Sequence, residues 1–234
     1  MKTKIKNLFL VSTVIVLSSV FLVGCGKKTT TTNTTKSQPV VKSIEFKDEE
    51  KPYISLIPRA DGHELKLKID NIPSSVNQID YELIYTAVDK TTKLEMEKGV
   101  GDTIKEIDKK VEKDLLLGTA SCTNGCKYAY DEGITGGTLT LTFNTDDGQI
   151  SFITPFSLIS SADIKTKALT LPTENITINA TTTTKSDFFV LLKNLKSAYS
   201  VFSNGTGAGK ITSITPSTIT KQDMNSLVGD YLSQ

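Results

Sequence analysis

Three cysteines, one histidine and one arginine carry most of the reactive chemistry open to this 234-residue chain, which has no tryptophan. In Cys122-Thr123-Asn124-Gly125-Cys126 two thiols flank an Asn-Gly turn. That spacing suits a disulfide-closed loop, a pair of free thiols, a redox couple or half of a zinc site. Redox pairs ordinarily hold two residues between the sulfurs, and this segment holds three. Zinc needs four ligands, and His63 is the one further candidate, so no metal or cofactor site is assigned. Asp131, Glu132, Asp146 and Asp147 offer oxygens for calcium, but the EF-hand spacing is absent and Asp147-Gly148 reads as a hairpin turn. The loop Gly205-Thr206-Gly207-Ala208-Gly209-Lys210-Ile211 has the glycines of a phosphate cradle. Asn204 and Ile211 stand where that pattern requires Gly and Ser or Thr, so it reads as a flexible glycine loop. No G-x-S-x-G elbow occurs, and nothing identifies two carboxylates that face each other. No catalytic residue is assigned. His63, just after Asp61-Gly62, reads as an exposed loop residue.

The start of the chain says where these groups are kept. Lys2, Lys4 and Lys6 precede a nearly uncharged run from Leu8 to Val23 that contains Ser and Thr. It is shorter than the roughly 20 apolar residues of a membrane span, so residues 1–24 read as a secretory signal. The run ends in Leu22-Val23-Gly24-Cys25. This order resembles the lipobox of bacterial lipoproteins, with Leu three positions before the cut, small residues next to it and Cys after it. The resemblance implies that the Cys25 thiol receives diacylglycerol, that the bond before it is cleaved and that the new amine is acylated. The protein would then be extracytoplasmic, held on the outer face of the cytoplasmic membrane or on the cell surface. Acyl chains contribute about 0.8 kcal/mol per buried CH₂, and two or three hold durably where one does not. Export also permits oxidation. With Cys25 capped by lipid, Cys126 is the intramolecular partner left for Cys122, and a structural disulfide between them is expected. Closing so short a loop stabilises by about 2 kcal/mol in the chain-entropy account.

Composition limits the partners. The chain holds 27 basic and 26 acidic side chains. Loss of three lysines with the first 24 residues leaves 24 against 26, a formal charge of −2. A nucleic-acid binder needs a dense basic surface, and that class is excluded. The 38% apolar content excludes full disorder. Residues 25–44, the lipid-bearing cysteine and its sequel, include six threonines around Asn33 and then Lys-Ser-Gln-Pro. Nothing there can bury a core, so it reads as a disordered Thr-rich tether, at most about 65 Å when extended.

The elements that must position the candidate groups read as strands. Glu64–Asp70 alternates Leu65, Leu67 and Ile69 with charges, and Ile79, Tyr81, Leu83 and Tyr85 share one face of the next segment. Thr138–Phe143 repeats the pattern with threonine outside. Period two with one wet face marks antiparallel sheets. Asp61-Gly62, Ile72–Ser75, Gly136-Gly137 and Asp147-Gly148 read as turns between them. Leu65, Leu67, Ile69, Tyr81, Leu83, Leu139, Leu141 and Phe143 are expected to point inward. An all-β fold follows: an antiparallel β-sandwich of immunoglobulin or fibronectin-like architecture over residues 45–160. The Cys–Trp–Cys core signature is missing, so only the architecture is implied. Asp102–Val111 fits either a short surface helix or a charged edge strand, with strand or loop expected, and Leu115–Leu117 a buried strand. Residues 161–234 read as a β-rich C-terminal extension or second small unit. Within it, Asp187–Phe202 fits a helical face through Phe188, Leu191, Leu195, Tyr199 and Phe202, while the β-rich surroundings favour two strands. Lys221–Leu232 reads as one or two helical turns.

The segment from Gly118 to Leu141, with its cysteine pair, Tyr130-Asp131-Glu132-Gly133 and Gly136-Gly137, resembles a cysteine-loop segment of uncharacterised envelope proteins of candidate-phylum bacteria. That resemblance implies a sandwich and no activity. The functional expectation is a membrane-anchored, non-enzymatic binding or adhesion module with an envelope or surface protein or glycan as partner. The rival readings are a structural envelope spacer and a hydrolase of envelope polymer. A patch of exposed aromatic residues would favour the first, an uncovered apolar sheet face the second, and two facing carboxylates the third.

Overall fold

Where the sequence alternates apolar and polar residues, the chain forms antiparallel strand pairs. The structure is a computed structural model describing residues 42–164, 167–181, 187–204, 210–221 and 229–233. The signal segment, Cys25, nearly all of the tether and residues 205–209 of the glycine loop lie outside the described residues. The strands are β1 (Tyr53–Pro58), β2 (Glu64–Asp70), β3 (Val76–Val88), β4 (Glu95–Ile104), β5 (Val111–Leu116), β6 (Gly118–Cys122), β7 (Cys126–Tyr130) and β8 (Gly136–Thr145). They continue with β9 (Gly148–Ser160), β10 (Leu169–Leu171), β11 (Ile176–Thr181), β12 (Phe188–Lys193), β13 (Tyr199–Ser203), β14 (Lys210–Thr215), β15 (Ile219–Lys221) and β16 (Gly229–Ser233).

One eight-stranded sheet runs in the order β15-β16-β13-β12-β9-β8-β3-β4. Two three-stranded sheets, β1-β2-β5 and β10-β11-β14, pack on it, and β6 and β7 form a separate ribbon. Strands from both sides of residue 160 therefore hydrogen-bond in one sheet, since β12 pairs with β9 from Phe188↔Ser160 to Leu192↔Phe156. Val190 and Leu192 of β12 face the core shared with β1, β2 and β5. Phe189 and Leu191 face the core shared with β10, β11 and β14. Burial on both faces explains why Phe188–Leu192 is an unbroken apolar run, the pattern that a helix also shows. Two strands form there.

The facing expected from alternation holds. Leu65, Leu67, Ile69, Leu83, Leu139, Leu141 and Phe143 have no solvent exposure and Tyr81 has 8%. Each aliphatic side chain so buried contributes about 1.5–3 kcal/mol. A buried polar link ties the layers: Asn194 Oδ1 accepts from the Ile54 backbone N–H at 2.8 Å, and its Nδ2 donates to Ser200 Oγ at 2.7 Å. Removing that amide would leave a buried donor on β1 unpaired.

One expectation is corrected. Gly136-Gly137 is not a turn but the start of β8, inserted between β3 and β9. A Cβ at Gly137 would lie 2.0 Å from the Ile84 carbonyl oxygen, so close strand approach, not chain reversal, requires glycine there. At Asp102–Val111 the expected strand-or-loop reading holds: its first three residues extend the edge strand β4, and Val111 opens β5. Of Lys221–Leu232, where helical turns are expected, residue 221 ends β15 and residues 229–232 lie in β16, with Tyr231 opposite Tyr199, while residues 222–228 lie outside the described residues.

Candidate binding surface

The turn after β1 sets the first half of the site. Gly62 N–H donates to the Arg59 carbonyl at 2.9 Å, closing a tight reversal, with Gly62 at φ 71°. A Cβ on Gly62 would sit 2.5 Å from the Phe188 ring, so glycine is needed for both its backbone angle and its neighbour. Beyond the turn, the Leu117 N–H donates to the His63 carbonyl at 2.9 Å, and the Asp131 N–H to the Leu117 carbonyl at 3.0 Å. These backbone bonds bring residue 63 beside residue 130.

The second half is the β6–β7 ribbon. Its register runs from Gly118↔Tyr130 through Ala120↔Tyr128 to Cys122↔Cys126. Gly125 at φ 87° allows the Thr123–Gly125 reversal. Cys122 and Cys126 are disulfide-bonded across it, their α-carbons 4.1 Å apart. The base is fastened separately: the Tyr85 hydroxyl donates to Asp131 Oδ2 at 2.9 Å, and Lys98 Nζ donates to Asp131 Oδ1. Burial pushes the Tyr85 phenol well above its ordinary range, with the Asp131 carboxylate adding to it, so it stays a donor. Residues 119–129 are all exposed, so the ribbon projects from the body.

Three rings meet where the halves join. His63 stacks on Tyr130 at 4.2 Å between centroids and 5° between planes. Tyr130 in turn lies 5.9 Å from Tyr128 at 7°. The Arg59 guanidinium carbon is 5.8 Å from the Tyr130 centroid. Arg59 is itself tied down: Nε donates to Asp61 Oδ1 at 2.8 Å, Nη2 to Asp61 Oδ2 at 2.9 Å and Nη1 to Glu64 Oε2 at 3.1 Å. That hydrogen-bonded fork holds Asp61 below the usual carboxylate range. The chain's single histidine and single arginine thus converge on the two tyrosines of the disulfide ribbon. His63 is half-buried against Tyr130 rather than a free loop residue, because the Leu117 bond draws it in.

The other sequence candidates are placed as follows. Cys122 and Cys126 are joined. Asp131 is engaged by Lys98 and Tyr85, Glu132 by Lys90 at 3.1 Å, and Asp146 by Asn77 Nδ2 at 2.9 Å. Among the described residues, no three of His, Cys, Asp and Glu gather as metal ligands would. A groove of about 870 Å³ opens where β8 and β9 meet β10, with Thr138, Pro155, Phe188 and the Asp163–Lys167 pair in its lining. Sequence reasoning missed Tyr128, Tyr130 and Arg59. A Tyr-x-Tyr step just past a cysteine-flanked Asn-Gly turn was a usable signal, since the turn centre alone places Tyr128 opposite Ala120. Nothing local pointed to Arg59 or His63.

In comparisons with known proteins, no family model matches the chain, no curated protein is similar to it in sequence, and no solved structure matches it.

Proposed function

We propose that this protein is a lipid-anchored, extracytoplasmic binding or adhesion module, non-enzymatic, that presents the β6–β7 ribbon to a partner in the envelope or at the surface. The observation that carries the reading is the row His63–Tyr130–Tyr128 on a ribbon locked at its tip and base. An exposed tyrosine combines a large apolar face with a polar tip and loses little conformational entropy on binding, which suits it to recognition. The lipobox-like Leu22–Cys25 supplies the anchor, and the threonine tether that follows supplies reach. On the outer face of β3, β8 and β9, Thr138, Thr140 and Thr142 lie beside Asp80, Glu82 and Ser151, and the exposed Ile153 stands among them. It lies apart from Leu94 and Met96 at the β4 edge, which gives less support to a spacer that packs through an apolar face. The carboxylates Asp61, Asp80, Asp89 and Glu174 are all held below their ordinary values, opposite to the raised acid a hydrolase would use.

Two measurements test the reading. A fatty-acid probe should label the wild-type protein in cells and leave Cys25→Ser unlabelled; equal labelling of both would remove the anchor. A photo-crosslinking residue at position 128 should capture an envelope component in intact cells, while one at the equally accessible position 153 should not. Equal capture at both positions, or none at 128, would remove the ribbon as the binding surface.

A further inference from the structure

Resting on the binding-module reading, we propose that the ligand of the aromatic row is a neutral polysaccharide, one sugar ring of which stacks on Tyr128. Space comes first. The cross-strand partners of Tyr128 and Tyr130 are Ala120 and Gly118, so β6 places no bulky side chain over the rings. His63 covers Tyr130, and among the described residues no ring other than Tyr130 stacks on Tyr128, which is 54% exposed. The row therefore ends in an open aromatic face.

Charge then selects the ligand. Arg59 is bound by Asp61 and Glu64, Lys98 by Asp131 and Lys90 by Glu132. Lys127 lies on the opposite face of the ribbon, since side chains alternate along a strand. Among the described residues, no unpaired cation stands beside the rings to attract an anionic polymer. A pyranose offers an apolar C–H face bordered by hydroxyls. The Tyr128 ring matches that face, and the exposed Thr123 and Asn124 at the tip supply groups to match the border.

A protein partner fits less well. Protein hot spots fill desolvated pockets with large anchors. Along residues 119–129 Tyr128 is the one exposed large apolar side chain, without a second anchor beside it on the ribbon. Individual sugar contacts are weak, so a platform fixed before binding matters. The disulfide and the Asp131 contacts provide that fixity.

The test uses the full chain in a detergent without a sugar headgroup, titrated with chitohexaose, cellohexaose and, as an anionic control, hexagalacturonate. With no tryptophan, the seven tyrosines supply the intrinsic emission, and quenching reports the platform. At least one neutral hexasaccharide should quench saturably and more tightly than hexagalacturonate. Tyr128→Ala should weaken that binding by about tenfold or more, a loss of about 1.4 kcal/mol. Tyr128→Phe should retain it, and both variants should melt with the wild type. No saturable response to either neutral sugar, tighter binding of hexagalacturonate, or unchanged binding by Tyr128→Ala would each overturn the proposal. If neither sugar binds while the crosslinker at position 128 captures a protein on cells, the glycan assignment falls and the binding-module reading stands. Capture of nothing at position 128 removes that reading itself.

Discussion

Strands β7 and β12 are nearly equal in length, and each carries two aromatic residues, yet they are held by different physics. In β12, Phe189, Val190, Leu191 and Leu192 are all buried, with β13 and β9 alongside and a three-stranded sheet over each face. In β7, Cys126 to Ala129 are exposed, and β6 is the one sheet neighbour. A two-stranded ribbon is marginal in water without further support. Here the support is covalent at the tip and polar at the base. The contrast shows how one chain separates two tasks. The covered strand gathers apolar surface and cannot present it, while the uncovered strand gives up burial and keeps its rings accessible.

The comparison breaks most severely at β12. Leu191→Ala removes a fully buried side chain from the core beneath β10 and β11. It should lower stability by about 2–5 kcal/mol, read as a shift in the urea midpoint at constant slope. A change of a few tenths would mean that this core collapses around the gap. Replacing Cys122 and Cys126 together by serine should lower global stability by about 2 kcal/mol or less. Amide exchange should then quicken in residues 118–130 and stay slow in 189–192; uniform quickening would show that the ribbon supports the whole fold. Acid should sharpen the contrast further. Asp61 has a depressed folded-state pKa, so its pairing with Arg59 stabilises fully above the unfolded-state value of about 3.9. The contribution is lost as pH falls through the folded value. Tyrosine emission should therefore change below about pH 4, as the Arg59 fork beside Tyr130 loosens, and Asp61→Asn should remove that step while β12 stays protected. Glu174 follows the same sign through its bond from Lys193 at 2.7 Å, on the far side of β12.

The inward faces of β2, β3 and β8 were legible in the sequence because each strand there has one wet face, and alternation then states the facing outright. The β8–β9 hairpin was legible at Asp147-Gly148 for the same reason that short turns generally are: the chain reversal needs particular residues at particular positions. Gly136-Gly137 misled because a glycine pair serves both a turn and a close strand contact, and only the Ile84 carbonyl opposite Gly137 tells which. The ambiguity at Asp187–Phe202 had a physical origin, since burial on both faces erases the alternation that distinguishes strand from helix.

The candidate site divides the same way. Local sequence determined that Cys122 and Cys126 flank a turn and, through the turn centre, that Tyr128 and Tyr130 share a face with Ala120 and Gly118 opposite. It also determined the lipobox-like start and the balance of charge. That His63 and Arg59 join those tyrosines was decided by tertiary structure alone. Residues 63 and 130 lie far apart in sequence and meet because β2 pairs with β5, whose end delivers Leu117 to the His63 carbonyl and the ribbon to its place beside the β1–β2 turn. Periodicity and turn chemistry act over a few residues and are written in order along the chain. Which strand lies beside which is settled by packing of whole faces, and no stretch of sequence carries that information by itself.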